Sequence, residues 1–191
     1  MNRFIRTSAL VMICITSLSC IKEKLEVTYN NQESKIDKFI ESNMYQTTTD
    51  EDGSTRTDTL RVLNLGGSNR LVLEEGIGEE LNDNGTIAFY YAGYTFNGSK
   101  SANNLFITNH KETAESANWD LTDEGYDLYQ INIGDADLVE GLKKGLKGVK
   151  AGEHSIILFS GKYGFGNKAI GIIPANSALL YEIWVEAISN D

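Results

Sequence analysis

The sequence predicts an α+β domain, an antiparallel β-sheet wrapped around one short helix, with a small N-terminal helical and hairpin extension. Three observations predict it. From Asn69 onward the chain is built of short apolar or alternating segments bounded by glycine and asparagine turns. One amphipathic segment, Asp137–Gly148, breaks that pattern with apolar residues at helical spacing. There is no internal repeat, so the strands are read as one sheet rather than as a stack of units.

The elements follow in order. Ile36, Phe39, Ile40 and Met44 sit at helical spacing and predict a short helix over 35–44. Tyr45–Asp58, rich in Thr and Asp around Asp52-Gly53, predicts an exposed hairpin or loop. Leu60–Leu65 and Leu71–Leu73 read as strands, with turns at Gly66-Gly67 and Gly76–Gly78. Thr86–Phe96 is the longest strand, with Ile87, Phe89, Tyr91 and Gly93 on one face and Ala88, Tyr90, Ala92 and Tyr94 on the other. Asn97-Gly98 is a hairpin turn, and Ser99–Gly125 a long polar loop interrupted by Leu105-Phe106-Ile107. Tyr129, Ile131 and Ile133 form a half-buried strand.

In the helix that follows, Asp137 is the expected N-cap and Glu140 completes a capping box. Leu138, Val139, Leu142 and Leu146 form its apolar face, lysines crowd the other, and Gly148 stops it. Ser155–Ser160 is an apolar strand, Gly161–Ile173 a glycine-rich aromatic loop, and Ala178–Ile188 the last strand.

The N-terminus reads as a targeting signal. Arg3 and Arg6 precede an apolar run, Ala9–Leu18, too short to span a bilayer at roughly 20 residues. Ser17-Leu18-Ser19-Cys20 resembles a bacterial lipobox, which makes residues 1–19 a lipoprotein signal peptide and Cys20 the lipidated residue. Residues 20–34, polar and without a periodic apolar face, read as a tether; 35–68 as an N-terminal extension; 69–191 as the main domain. Loss of residues 1–19 leaves Cys20 as the sole cysteine, so no intrachain disulfide forms. The same cut removes two arginines and no acid, taking the net charge from −10 to −12. That balance excludes nucleic acid and anionic lipid as electrostatic partners.

Polar chemistries have little support. His110 and His154 lack neighbours at metal-ligand spacing, so no metal is expected. No G-x-S-x-G elbow and no phosphate-binding glycine loop is present. Glu74-Glu75, Glu79-Glu80 and Asp135/Asp137 lie in turns and caps, where solvation explains them. What remains is a set of aromatic and aliphatic residues near the glycine-rich loops, which either fill the core or line an apolar pocket for a small ring.

The order of segments carries a resemblance. Gly76-x-Gly78, Phe89-Tyr90-Tyr91-Ala92-Gly93, Ile133-Gly134, Val139-Glu140-Gly141-Leu142-x-x-Gly145-Leu146, Tyr163-Gly164-Phe165-Gly166 and Ile172-Ile173-Pro174-Ala175-Asn176 together resemble the FKBP-type peptidyl-prolyl cis-trans isomerase domain, from about Asn69 to Ile188. The N-terminal extension is similar to that of lipidated members in Bacteroidetes-like bacteria. The resemblance implies the sheet-around-helix fold and a proline pocket between the two. It implies catalytic positions at Tyr91, Val139 and Phe165, and substrate-binding positions at Phe106, Tyr129, Leu138, Leu142, Ile172, Ile173 and Tyr181. It requires no cofactor. The chain departs from the family pattern in three places: Ile107 replaces an aspartate after Phe106, Phe165 lacks a tyrosine hydroxyl, and Leu142 stands where a tryptophan is usual.

The expectation is therefore a peptidyl-prolyl isomerase that assists folding of exported proteins. It would sit in the cell envelope, anchored in the outer membrane through Cys20 and facing the periplasm or the cell surface. Its partners would be proline-containing segments of unfolded proteins. The alternative is a catalytically weak or inactive peptide-binding module on the same scaffold.

Overall fold

The computed structural model describes residues 2–119, 123–135 and 137–190, with side chains from Lys22 onward except those of residues 123 and 124. The signal segment and the lipidation at Cys20 fall outside the described side chains. Among the described residues no helix is long and apolar enough to cross a membrane.

A helix, α1 (Asn2–Asn43), leads into an exposed hairpin of β1 (Tyr45–Thr49) and β2 (Thr55–Thr59). The main sheet holds β3 (Arg61–Asn64), β4 (Ser68–Glu74), β5 (Thr86–Phe96), β6 (Leu105–Thr108), β7 (Tyr129–Asn132), β8 (His154–Phe159) and β9 (Ala178–Ser189). Two short helices, α2 (Lys111–Ser116) and α3 (Glu140–Gly145), lie between strands. The order is β3-β4-β8-β9-β5-β6, antiparallel throughout, with β7 beside β5 on the same side as β6. The long central strand β5 is thus flanked by β9 along its whole length, and by two short strands in succession on its other edge.

Alternation along the strands sorts apolar residues onto two faces, and each face has its own cover. Ile87, Phe89, Ile157, Phe159, Leu179, Tyr181 and Ile183 pack with Leu142, Leu146 and Val149 around α3. On the other face Leu71, Ala92, Tyr94, Phe96, Ile156, Leu158 and Leu180 pack with Ile36 and Ile40 of α1 and with Leu105. The sheet is therefore the middle of three layers. The helix expected over 35–44 is only the end of α1, which continues through the stretch expected to be a tether. Leu25, Tyr29, Gln32 and Ile36 are the inward residues, spaced by four, three and four; a glutamine in that stripe hides it from a purely apolar count.

Two other expectations change. The region 99–125 is not an irregular loop, since it carries β6, α2 and 3₁₀ turns at 102–104 and 123–126. The helix α3 begins at Glu140 with Val139 at the N-cap, without the Asp137 capping box; Glu140 instead pairs with Lys144 at 2.8 Å. Leu138 and Val139 pack against the core, and that burial outweighs a local cap worth about 1 kcal/mol. The strand β3, placed before the main domain by the sequence reading, pairs with β4 in the sheet.

Six residues of helix do not persist alone. What holds α3 is close packing and a buried cation. A methyl group on Gly141 would come within 2.2 Å of the Phe159 ring, and one on Gly145 within 2.2 Å of Ile157, so both glycines let the helix lie against β8. Arg70 of β4, fully buried, donates through Nη1 to the Gly145 and Lys147 carbonyls, both at 2.8 Å, and through Nη2 to Gly148 at 3.4 Å. It thereby caps the helix C-terminus, where a cation is favoured. Its Nε lies 3.2 Å from Glu153, itself buried and accepting a hydrogen bond from Ser155. Burial lowers the Arg70 pKa and the Glu153 charge draws it back up.

Arg70→Ala is expected to cost about 3–5 kcal/mol in urea unfolding, because it leaves three carbonyls uncapped and the buried Glu153 with only the more distant Arg61, at 3.9 Å, as a cationic partner. A loss below about 1 kcal/mol would show that the cation does not anchor α3.

Candidate active site

Between α3 and the concave face of the sheet lies a cavity of about 570 Å³. β5 supplies Phe89 and Tyr91, β6 supplies Phe106 and Ile107, and β7 supplies Tyr129. Leu138 and Leu142 come from α3 and the residues before it, Tyr181 from β9, and Phe165 with Ile170–Ile173 from the loop between β8 and β9. The rings form a box. Phe89, Tyr91 and Tyr129 lie with centroids 5.7 Å apart in every pairing. Phe106 meets Tyr181 edge-on at 5.8 Å, and Tyr181 stacks on Phe159 behind it at 6.1 Å. Ile173 is buried at the inner edge, whereas Ile172 is 72% exposed on the rim.

Every site residue named from the sequence lines this cavity except Val139. The Val139 side chain packs into the core beside it. Its amide, at the first turn of α3, has no partner among the described residues. Four lining residues were not singled out. Phe89 was legible, since it shares a strand face with Tyr91. Ile107 follows Phe106 in the apolar interruption of the polar stretch, and it puts a methyl surface where the family pattern has an aspartate. Ile170 is brought round by a tight turn in which Ile170 and Ile173 exchange backbone hydrogen bonds at 3.0 and 2.9 Å, and Gly171 sits within it.

Among the described residues, the only polar side-chain groups in the wall are the hydroxyls of Tyr91, Tyr129 and Tyr181. None has a hydrogen-bond partner among the described residues. Burial raises the pKa of Tyr91, with a smaller contribution from Tyr129; burial also raises that of Tyr181, with a smaller one from Tyr91. Both phenols therefore stay protonated donors across the physiological range. Tyr181 is 7% exposed and lines the cavity.

The backbone of Tyr91 is held by residues missed in the sequence. Asn109 accepts from the Tyr91 N–H through Oδ1 at 2.6 Å and gives its own backbone N–H to the Tyr91 carbonyl at 3.2 Å. Its Nδ2 donates to the Asp127 carbonyl at 2.9 Å and to that of Phe89 at 3.4 Å, and Thr108 Oγ1 donates to the Tyr91 carbonyl at 2.8 Å. This amide fills the gap in β5 pairing between β6 and β7. The segment 99–125 is thus a working part of the cavity wall.

The comparisons place this geometry in a family. The FKBP-type peptidyl-prolyl cis-trans isomerase family matches residues 78–186, more than half of the chain, and the chain belongs to that family of isomerases. It is 28% identical over 117 residues to FK506-binding protein 1 of Aspergillus oryzae, covering 61% of this chain and 94% of the fungal one. FkpA from Escherichia coli shares the fold with a TM-score of 0.50 and 17% identity, over 99% of this chain and 74% of that one. The FKBP domains of wheat FKBP73 superpose with a TM-score of 0.54 at 18% identity, over 72% of this chain and 54% of theirs.

Asn109→Ala leaves the Tyr91 amide and two carbonyls of the wall without their partner. It should lower stability by about 1–3 kcal/mol and weaken binding of a short Xaa–Pro peptide in titration calorimetry. Unchanged affinity would show that Tyr91 keeps its place without the Asn109 side chain.

Proposed function

We propose that this chain is a peptidyl-prolyl isomerase, lipid-anchored in the cell envelope, that binds proline-containing segments of unfolded or exported proteins and assists their folding. One observation carries the catalytic reading: an aromatic cavity whose polar side-chain groups are three tyrosine hydroxyls without a hydrogen-bond partner among the described residues.

Rotation about an Xaa–Pro bond faces a barrier of roughly 18–20 kcal/mol, set by amide resonance. The planar amide separates charge between oxygen and nitrogen; the twisted amide separates less. A site that strips water from the amide therefore disfavours the planar form relative to the twisted one, which is stabilisation of the transition state by environment. The ring box of Phe89, Phe106, Tyr129 and Phe165 provides that environment for a proline ring, with Leu142 beneath it. The Tyr181 and Tyr91 hydroxyls are donors for substrate carbonyls, and the Val139 amide offers another one residue from Leu138. Tyr181 then supplies a polar contact in a pocket where Ile107 and Phe165 supply none.

Those same two residues favour a second reading, a peptide-binding module with little catalysis. The envelope location is supported by the basic start, the short apolar run and Ser19-Cys20, and the acidic mature chain leaves the lipid as the means of attachment. The outer membrane is the proposed site, facing the periplasm or the cell surface.

Wild-type protein at micromolar concentration should accelerate a proline-limited refolding phase that lasts tens to hundreds of seconds uncatalysed. Tyr181→Phe, which removes only a hydroxyl, should lower kcat/KM about three- to tenfold, and Tyr91→Ala by more. Tight peptide binding without acceleration would select the binding-module reading. Metabolic labelling with a radioactive fatty acid should mark the wild type and not Cys20→Ser; equal labelling of both would refute the anchor.

A further inference from the structure

The loop that carries Phe165 and Ile170–Ile173 runs from Gly161 to Ser177, between the ends of β8 and β9. Its two ends touch: a methyl group on Gly161 would come within 2.3 Å of the Asn176 carbonyl oxygen. The ladder between β8 and β9 stops at Phe159 and Leu179, so it does not reach this closure. Within the loop, the Gly166 N–H donates to the Gly161 carbonyl at 3.1 Å and the Gly166 carbonyl accepts from the Asn176 backbone N–H; α1 adds a direct tie across the two ends. Gln32 accepts from the Gly161 N–H through Oε1 at 2.9 Å and donates through Nε2 to the Asn176 carbonyl at 2.7 Å. One side-chain amide thus joins both ends of the loop, in the only orientation that satisfies a donor on one side and an acceptor on the other. Tyr29, one turn earlier, donates its hydroxyl to Asn176 Oδ1 at 2.7 Å.

Asn176 is the residue that most needs holding. Its φ of +60° lies in the left-handed region, and its amide donates back across the loop to the Gly166 carbonyl. Gly166 follows Phe165 directly. A chain of bonds therefore runs from α1 through Asn176 to the backbone beside a ring of the cavity. The residues making it belong to the stretch whose composition suggests only a tether.

We propose that Tyr29 and Gln32 are positioning residues for substrate binding: α1 clips the loop shut, and the clip sets how well Phe165 and Ile173 stand against a bound proline. This rests on the isomerase reading for its substrate. It makes the helix part of the binding site, so whatever lifts α1 from the loop weakens the site without touching the cavity. The clip is separable from the fold, because Ile36 and Ile40 hold α1 to the sheet independently of Gln32.

The test uses the full chain, with Gln32→Ala, Tyr29→Phe and their combination, and with Gln32→Glu as the milder change that keeps the acceptor for Gly161. Hydrogen exchange by mass spectrometry, peptide affinity and steady-state isomerase kinetics are measured on each. The combined variant should exchange faster in a peptide covering 162–176 while α3 and β5 keep wild-type protection. Its KM and its Kd for an Xaa–Pro tetrapeptide should rise about three- to tenfold, with kcat within about twofold of wild type, and Gln32→Glu should fall between. Unchanged exchange in the loop, unchanged Kd, or acceleration spread equally over the whole domain would each overturn the clip. If wild-type protein shows no isomerase activity, the catalytic reading fails alone, and exchange and peptide Kd decide the clip.

Discussion

A buried guanidinium holds this domain together at the point where function needs it. Arg70 stands on β4, and the carbonyls it caps, that of Gly145 in α3 and those of Lys147 and Gly148 just beyond it, lie 75 to 78 positions away in the chain. The helix is too short to persist without this cap and its packing on the sheet, and without the helix the cavity has no floor. The arrangement is costly in principle, because a buried ion is tolerated only when its partners are in place. Here three carbonyls and Glu153 supply them, and Ser155 supports Glu153 in turn. The two glycines of α3 let the helix approach closely enough for these bonds to form. Leu138 and Leu142 reach the cavity from a helix that is fixed at its far end.

The opposite wall depends on a second polar device. β5 loses its neighbour where β6 ends and before β7 begins, and an unpaired strand amide beside an apolar cavity would be a liability. Asn109 closes that gap with its side chain. The same segment places Phe106 and Ile107 at the rim. Both walls are thus apolar surfaces carried on buried polar networks, which suits a reaction that needs rigid apolar surroundings more than it needs acids or bases.

How much of this was legible follows from the range of each interaction. Alternation along β5 sorts Phe89 and Tyr91 from Ala92 and Tyr94, and the two cores respect that division. The segment order led to the family, and the family led to the pocket residues. The misreadings share a cause. Residues 20–34 were judged by apolar periodicity, yet their inward stripe uses Tyr29 and Gln32, whose partners lie more than 120 positions further on. The region 99–125 was judged by its polarity, yet Asn109 is polar because it replaces strand pairing. The capping box at Asp137 is a sound local signal that lost to the burial of Leu138 and Val139.

By itself, then, the sequence determined the class of fold, the strand faces and the short amphipathic helix, which follow from side-chain periodicity and local turn chemistry, while the order of its motifs, through the family resemblance, pointed to the aromatic pocket. Only the tertiary structure decided where that short helix starts, which cation ends it, what fixes Tyr91 and which helix closes the loop over the cavity. The first rests on the burial of Leu138 and Val139, the others on hydrogen bonds between residues distant in the chain. A polar side chain announces nothing about a partner that only folding brings within 3 Å.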